Sequence, residues 1–244
     1  MIKNILKHTI KECAGFFYYY PYKKHFNNNG NRALIYHAFG SRLDHDTYGI
    51  SIQINKFKEH IDYLYNNYEF QALSKPFDNQ STISITIDDG YKDTLDAVSV
   101  LNQFNIPFSL FVTTDSINKK QYLSEQDIQE IAMLDFAEIG SHGKSHSKLH
   151  ELSYDNQKLE LQESKTKLEN IIKRRIDSIS FPHGSYNLTT IKLLHETNYQ
   201  RASTSTKGFN NYKTNKYMIN RSEIISSDSI NKLKKKIKGY YDFY

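Results

Sequence analysis

Short apolar runs alternate with helix-period segments along almost the whole chain, and this alternation limits the fold more than any other feature. Residues 33–36, 83–87, 108–112, 136–141, 179–181, 200–203 and 219–225 read as strands. Residues 57–68, 94–104, 153–175 and 188–197 read as helices between them, another helix begins near Ser124, and a Lys-rich helix closes the series. Ser124 is a natural N-cap, and Leu123 is spaced to staple onto Ile128. Strands separated by helices pair in parallel, and about seven such units favour a barrel over an open sheet. The expectation is a single α/β catalytic domain over residues 33–226, with a basic amphipathic segment before it (1–32) and a basic helix after it (227–244).

Composition narrows the class further. A chain of 244 residues, 24% charged and 38% hydrophobic, can bury a core of its own and is neither fibrous nor disordered. Cys13 is the only cysteine, so no internal disulfide supports the fold. The net charge of +5 is too mild to imply nucleic acid, and the lysines at the termini carry no aromatic–basic motif that would read bases. Lys3, Lys7, Lys11 and Glu12 interrupt any secretory apolar core, which makes the cytoplasm the expected compartment. At helical spacing Ile2, Ile5, Leu6, Ile10, Cys13 and Phe17 share one face beside the lysines. Such a helix either docks on the main domain or lies on the inner face of an anionic membrane; the stretch Lys232 to Lys238 adds to the second reading.

In a parallel barrel the chemistry sits where strands end. Three segments carry suitable groups there. Asp88-Asp89-Gly90-Tyr91 follows an apolar strand, and adjacent carboxylates at such a point can divide labour, one holding a cation and one moving a proton; the plain alternative is an Asp-Gly turn. His142-Gly143-Lys144-Ser145-His146 brings two imidazoles together if the loop winds into a helical turn, with His150 offering a second pair with His146. Pro182-His183-Gly184 makes a rigid turn whose backbone amides can face a ligand, or an ordinary strand-to-helix loop. Taken together, one aspartate and two histidines with a position left over are the donor set of a catalytic metal site rather than a closed structural one.

The order Thr-Ile-Asp-Asp-Gly, His-Gly-Lys-Ser-His, Phe-Pro-His-Gly resembles the polysaccharide deacetylases, a carbohydrate esterase family, over residues 33–225. Leu34-Ile35-Tyr36-His37 is similar to an early Tyr-His motif of its biofilm poly-N-acetylglucosamine branch. The resemblance implies a distorted, incompletely closed (β/α)7-type barrel that removes N-acetyl groups from an amino-sugar glycan or its lipid-linked precursor in surface polysaccharide biosynthesis. It implies Asp89, His142 and His146 as ligands of one divalent metal, most often Zn²⁺ in the family, with Co²⁺ or Ni²⁺ compatible with the same donors. Asp88 becomes the catalytic base, while Tyr91, Pro182, His183 and Gly184 fall on the substrate and oxyanion side.

Three departures stand out. The family's C-terminal Leu-x-x-His acid is missing, since no histidine follows His195; the early Tyr-His motif makes His37 the acid instead. The arginine that usually steadies the base is Ser180 here, and Arg221, at the end of a late strand, is the expected substitute. The family's fourth-motif tryptophan is absent. These losses keep two alternatives in view: a non-catalytic sugar-binding relative, and an O-deacetylase using the same metal site.

Overall fold

The computed structural model describes residues 2–20 and 29–243. Eight strands are joined by helices: β1 (Arg32–Tyr36), β2 (Glu69–Phe70), β3 (Thr82–Ile87), β4 (Phe108–Val112), β5 (Ala137–Ser141), β6 (Ser178–Ser180), β7 (Arg201–Ser203) and β8 (Arg221–Glu223). The helices are α1 (Ile2–Tyr19), α2 (Ile54–Tyr65), α3 (Thr94–Asn102), α4 (Glu125–Ala132), α5 (Tyr154–Ile172), α6 (Leu188–Glu196) and α7 (Ile230–Ile237). The sheet runs β7-β6-β5-β4-β3-β1-β8, parallel throughout, with the two-residue β2 attached to the start of β3. This is the expected α/β barrel with one unsealed seam. No ladder joins β7 to β8; a single parallel bridge between Ser203 and Ile219 spans the gap. β2 has no counterpart in the sequence pattern, because two residues are too few to show a period.

The pleat sorts each strand into two faces. Along β3, Ile83, Ile85 and Ile87 join the core shared with the helices. Thr82, Ser84 and Thr86 alternate with them and make buried hydrogen bonds, Thr82 and Ser84 accepting from Asn31 and Thr86 donating to the Leu34 carbonyl. The barrel interior is therefore partly polar, which gives charged side chains a place to be held. At α4 the Ser124 cap closes a full capping box with Asp127, and Leu123 and Ile128 are both buried in the main core.

The terminal segments pack onto this body. α7 buries Leu233 and Ile237, and two of its lysines are spent on the buried Asp228, with Lys236 at 2.5 Å and Lys232 at 2.9 Å. Lys235 lies 2.5 Å from Glu12 of α1. α1 approaches through Gly15, where an added Cβ would stand 2.1 Å from the Tyr240 ring, and through Tyr19, whose ring contacts Tyr240. Of the face expected to be apolar, Ile10 is 58% exposed, Phe17 is 67% exposed and Cys13 is exposed, while the side chains of Ile2, Ile5 and Leu6 lie outside the described ones. Around Gly15 and Tyr19 the N-terminal helix thus docks through small and aromatic residues, with Ile10, Cys13 and Phe17 left exposed.

Arg32 fastens the C-terminus to the start of β1. Its buried guanidinium pairs with both oxygens of Asp242 at 3.0 and 2.9 Å, bonds the carbonyls of Gly208 and Ile237, and lies over the Phe209 ring. Removing one partner strands a buried charge, at a cost of roughly 3–5 kcal/mol. Asp242→Ala is expected to lower the unfolding free energy by about that amount. Urea titration of the variant checks this, and an unchanged midpoint would show the pair to be dispensable.

Candidate metal centre and cleft

The three motifs meet at the C-terminal end of the barrel. Asp88 and Asp89 leave β3, His142 leaves β5, the turn Pro182–Gly184 follows β6, and His37 follows β1. His37, Asp88, Asp89, His142, His146 and His183 line a cleft of about 730 Å³ that also contains His45, Tyr48, Tyr91, Lys207 and Glu223, whereas Pro182 and Gly184 are not part of its lining. A larger groove of about 950 Å³ runs beside α4 and α5, but its lining holds none of these groups.

Asp89, His142 and His146 bring one ligand atom each to within 4.8 Å of one another. Asp89 Oδ1 stands 3.4 Å from His142 Nε2 and 3.2 Å from His146 Nε2, yet it is buried without a hydrogen-bond partner. Burial works to raise the Asp89 carboxyl, but the two imidazoles outweigh it and hold it well below the usual carboxylate range. The His142 ring is fixed by its Nδ1, 2.8 Å from the Ser180 carbonyl, so its Nε2 is the free ligand atom. A carboxylate and two imidazoles converging on one point, with a buried oxygen left over, fit a divalent cation. His150 is not part of this set; its Nδ1 is 2.7 Å from Ser185 Oγ.

The histidine loop reaches this geometry without the helical turn that its spacing suggests. His142 and His146 lie on an irregular loop, and His146 has a left-handed backbone with φ 65°. Glu160 of α5 organises the loop instead: its carboxylate accepts from the backbone N–H of Lys144 (2.8 Å) and Ser145 (2.9 Å) and from the Ser145 hydroxyl (2.6 Å). In the sequence Glu160 is one of many charges on a helix, with nothing local to single it out.

Asp88 is held from across the barrel. Arg221 donates to Asp88 Oδ1 and Oδ2, both at 2.8 Å, and both residues are buried. The remaining guanidinium donors reach Thr86 Oγ1 (3.0 Å), the Thr204 carbonyl (3.0 Å) and Ser180 Oγ (2.6 Å), and the group lies over the Phe111 ring. Every guanidinium N–H is thereby used. Ser180 also donates to Asp88 Oδ2 at 2.9 Å. Burial pushes the Asp88 carboxyl upward, but Arg221 and then His142 outweigh it and keep it below its ordinary value. Arg221 opens β8 rather than ending a strand, because the residues just before it bridge to β7 instead of extending the ladder.

The rest of the cleft is assembled from both sides. His37 Nε2 is 3.9 Å from Glu223 Oε1, while its Nδ1 is buried without a partner. Tyr91 is nearly buried, its hydroxyl 2.8 Å from His45 Nε2 and its ring stacked on Tyr122. His183 has φ 57° and sets its ring edge-on to His146 at 4.4 Å; burial pushes its pKa down. Pro182 is buried beneath this turn. His45, Tyr48 and Glu223 carried no motif that would single them out.

Comparison with known proteins identifies the family. The family model "Polysaccharide deacetylase" matches residues 76–202. YxkH of Bacillus subtilis, named as a polysaccharide deacetylase, is 30% identical over 203 residues, covering 77% of this chain and 69% of its own. The chain belongs to the polysaccharide deacetylase family. Among solved structures, the fold is similar to BA0330 of Bacillus anthracis (TM-score 0.76, 21% identity, 85% of this chain and 69% of that one). It is also similar to IcaB from Ammonifex degensii (TM-score 0.71, 17% identity, 88% and 97%).

Removing Arg221 leaves the burial of Asp88 without its main counterweight, so the carboxyl pKa must rise. In Arg221→Ala the acid limb of the hydrolysis rate is expected to move to higher pH, with a stability loss of about 3–5 kcal/mol. A pH profile superimposable on the wild type would contradict the pairing.

Proposed function

We propose that this protein is a metal-dependent N-deacetylase acting on an amino-sugar glycan or its lipid-linked precursor, in the synthesis of a surface polysaccharide. The observation that carries the reading is the juxtaposition of the Asp89–His142–His146 triad with a second carboxylate, Asp88, that is kept ionised by Arg221. A cation held by the triad, with Zn²⁺ the first choice and Co²⁺ or Ni²⁺ compatible, supplies Lewis-acid polarisation of the acetamide and a more acidic water.

The chain's own groups account for the proton traffic. Asp88, ionised and fixed at both oxygens, accepts a proton from the attacking water. Water adds to the acetyl carbon, and the turn assigned to the oxyanion side, Pro182–Gly184, reaches the cleft through His183. As the C–N bond breaks, the amine needs a proton, because an amide anion is a poor leaving group. His37 donates it, its Nε2 standing 3.9 Å from Glu223 Oε1. The products are acetate and the free amino sugar. Tyr91 serves as a wall of the cleft, since its hydroxyl is engaged by His45.

We also assign α1 to the inner face of a membrane with anionic lipids, in a cytoplasmic enzyme. Ile10, Phe16, Phe17 and Tyr20 are all 47% exposed or more, with Ile10 and Phe17 on the side of α1 turned away from the Glu12 and Gly15 contacts. A row of aliphatic and aromatic side chains beside lysines matches an interfacial helix. Wild-type protein is expected to sediment with phosphatidylglycerol vesicles and Phe16→Ser/Phe17→Ser protein to remain in solution; equal sedimentation of the two would remove this assignment.

The reaction is tested by acetate release from N-acetylglucosamine oligomers after chelation and reloading with Zn²⁺, Co²⁺ or Ni²⁺. Release is expected only from reloaded protein, and His37→Ala is expected to lose roughly 10²–10⁴-fold on the amide and much less on an acetate ester, which needs the acid less. Loss of ester and amide hydrolysis in equal measure would remove His37 as the acid. Metal-loaded protein that splits only O-acetyl esters would move the assignment to O-deacetylation.

A further inference from the structure

We propose that Asp228 is a positioning residue for His37: from behind the cleft it holds His60 and Lys236, which in turn hold Tyr36, the residue before His37, and Glu223, the carboxylate beside its ring. The proposal rests on the deacetylase reading for what His37 does and goes beyond it in naming what keeps His37 in place.

Asp88 is locked by Arg221 and Ser180, but among the described residues no hydrogen bond fixes the His37 ring. Its Nδ1 is buried without a partner, and its Nε2 reaches only Glu223 Oε1, at 3.9 Å. Such a ring takes its position from its own backbone and its neighbours. Tyr36 ends β1; its carbonyl accepts from the Asp88 N–H at 2.9 Å, and its buried hydroxyl is 3.3 Å from His60 Nδ1. His60 is fully buried on α2, with its Nε2 3.1 Å from the Asp228 carbonyl. Burial pushes the His60 pKa down and keeps the ring neutral. A carbonyl can only accept, so Nε2 carries the proton and Nδ1 accepts from the Tyr36 hydroxyl. Glu223 is held at both ends: its carbonyl accepts from Lys236 Nζ at 2.6 Å, and its Oε1 accepts from the Tyr48 hydroxyl at 3.0 Å. Asp46 in turn fixes the Tyr48 loop through the N–H groups of Tyr48 (3.1 Å), Gly49 (2.6 Å) and Ile50 (3.1 Å). The Asp228 carboxylate binds Lys236 at 2.5 Å, Lys232 at 2.9 Å and the Ile225 N–H at 3.0 Å. Burial pushes this carboxyl upward, but Lys236 outweighs it and keeps it below its ordinary value.

Stability alone does not call for this arrangement. Desolvating a carboxylate and an ammonium between helices costs about what their pairing returns, and apolar side chains would dock α2 and α7 at least as well. What apolar packing does not supply is direction, which charge-assisted hydrogen bonds do. Both arms from Asp228 end beside His37. The His60 arm fixes the point at which β1 releases the chain into the cleft, and the Lys236 arm fixes the end of β8 and the carboxylate next to the ring. Proton delivery to a departing amine needs such fixing, because a displacement of about 1 Å costs on the order of 10²-fold in rate.

Asp228→Asn strips the charge from two lysines at once and disturbs folding along with position, so the test cuts each arm separately. Tyr36→Phe deletes one hydroxyl and keeps the ring packed on Phe57; Lys236→Met keeps the stem and deletes the ammonium. Each is made in full-length, Zn²⁺-loaded protein, alone and together with His37→Ala. Acetate release from N-acetylglucosamine oligomers is expected to fall roughly three- to tenfold in Tyr36→Phe and roughly ten- to a hundredfold in Lys236→Met, in kcat rather than KM, while hydrolysis of an acetate ester stays within about twofold. In the His37→Ala background neither change is expected to lower acetate release further. A second readout needs no turnover: the His37 ring signals in a ¹⁵N–¹H correlation spectrum, assigned by their loss in His37→Ala, are expected to shift or broaden in both variants. Tyr36→Phe carries the test alone if Lys236→Met does not fold. The proposal fails if the His37 signals are unchanged in either folded variant, if amide and ester hydrolysis fall together, or if the variants lower the His37→Ala rate by the same factor as the parent rate. Moved His37 signals together with no acetate release by wild-type protein would keep the positioning role and overturn the deacetylase reading alone.

Discussion

The bidentate contact between Arg221 and Asp88 is the constraint on which the rest of the site depends. An ionised carboxylate cannot sit inside a barrel unpaired, since desolvation would protonate it. Arg221 answers that demand from the opposite side of the structure, and its own charge is satisfied in turn by Thr86, Ser180 and the Thr204 carbonyl. The network joins β3, β6, β8 and the segment after β7. It therefore ties together the strands that flank the unsealed seam, at the height where the cleft begins. Ser180 matters through its small size: a long side chain there would occupy the space that the guanidinium of Arg221 fills.

Backbone strain collects at the same place. Asp89, His146 and His183 are non-glycine residues with left-handed backbones, at φ 73°, 65° and 57°. Each belongs to a different motif loop. The others of this kind among the described residues are three asparagines and Lys173, which caps the end of α5. Left-handed residues cost about 1–3 kcal/mol each and persist where surrounding contacts over-determine them. Here the Thr113 N–H on the Asp89 carbonyl, Glu160 and the Phe181–Ser185 turn do so. The strain aims three side chains that regular secondary structure could not bring together.

Much of this was legible in the sequence, for reasons that differ by element. Strands such as residues 108–112 and helices such as that starting at Ser124 show because burial and capping leave local patterns. The Asp-Asp pair and the two histidines show because their residue types are costly to place at strand ends without a purpose. Arg221 could be foreseen only by noticing that Ser180 left a charge to be balanced. Glu160, Glu223, Asp46 and Tyr48 were invisible, since their importance lies in partners 15 to 175 residues away or in the fold of one irregular loop. The same limit explains α1: helical spacing identified its aliphatic stripe, but the side that docks was decided by Gly15 fitting against Tyr240, a contact between the two ends of the chain.

The central claim is that two neighbouring aspartates divide the work, Asp89 holding the cation and Asp88 moving the proton. Elemental analysis of Zn²⁺-reloaded Asp88→Asn and Asp89→Asn proteins, read alongside their acetate release, tests it most directly. The account predicts about one metal per chain and no turnover for Asp88→Asn, and loss of both metal and turnover for Asp89→Asn. Metal lost from Asp88→Asn, or retained at full occupancy in Asp89→Asn, would contradict it.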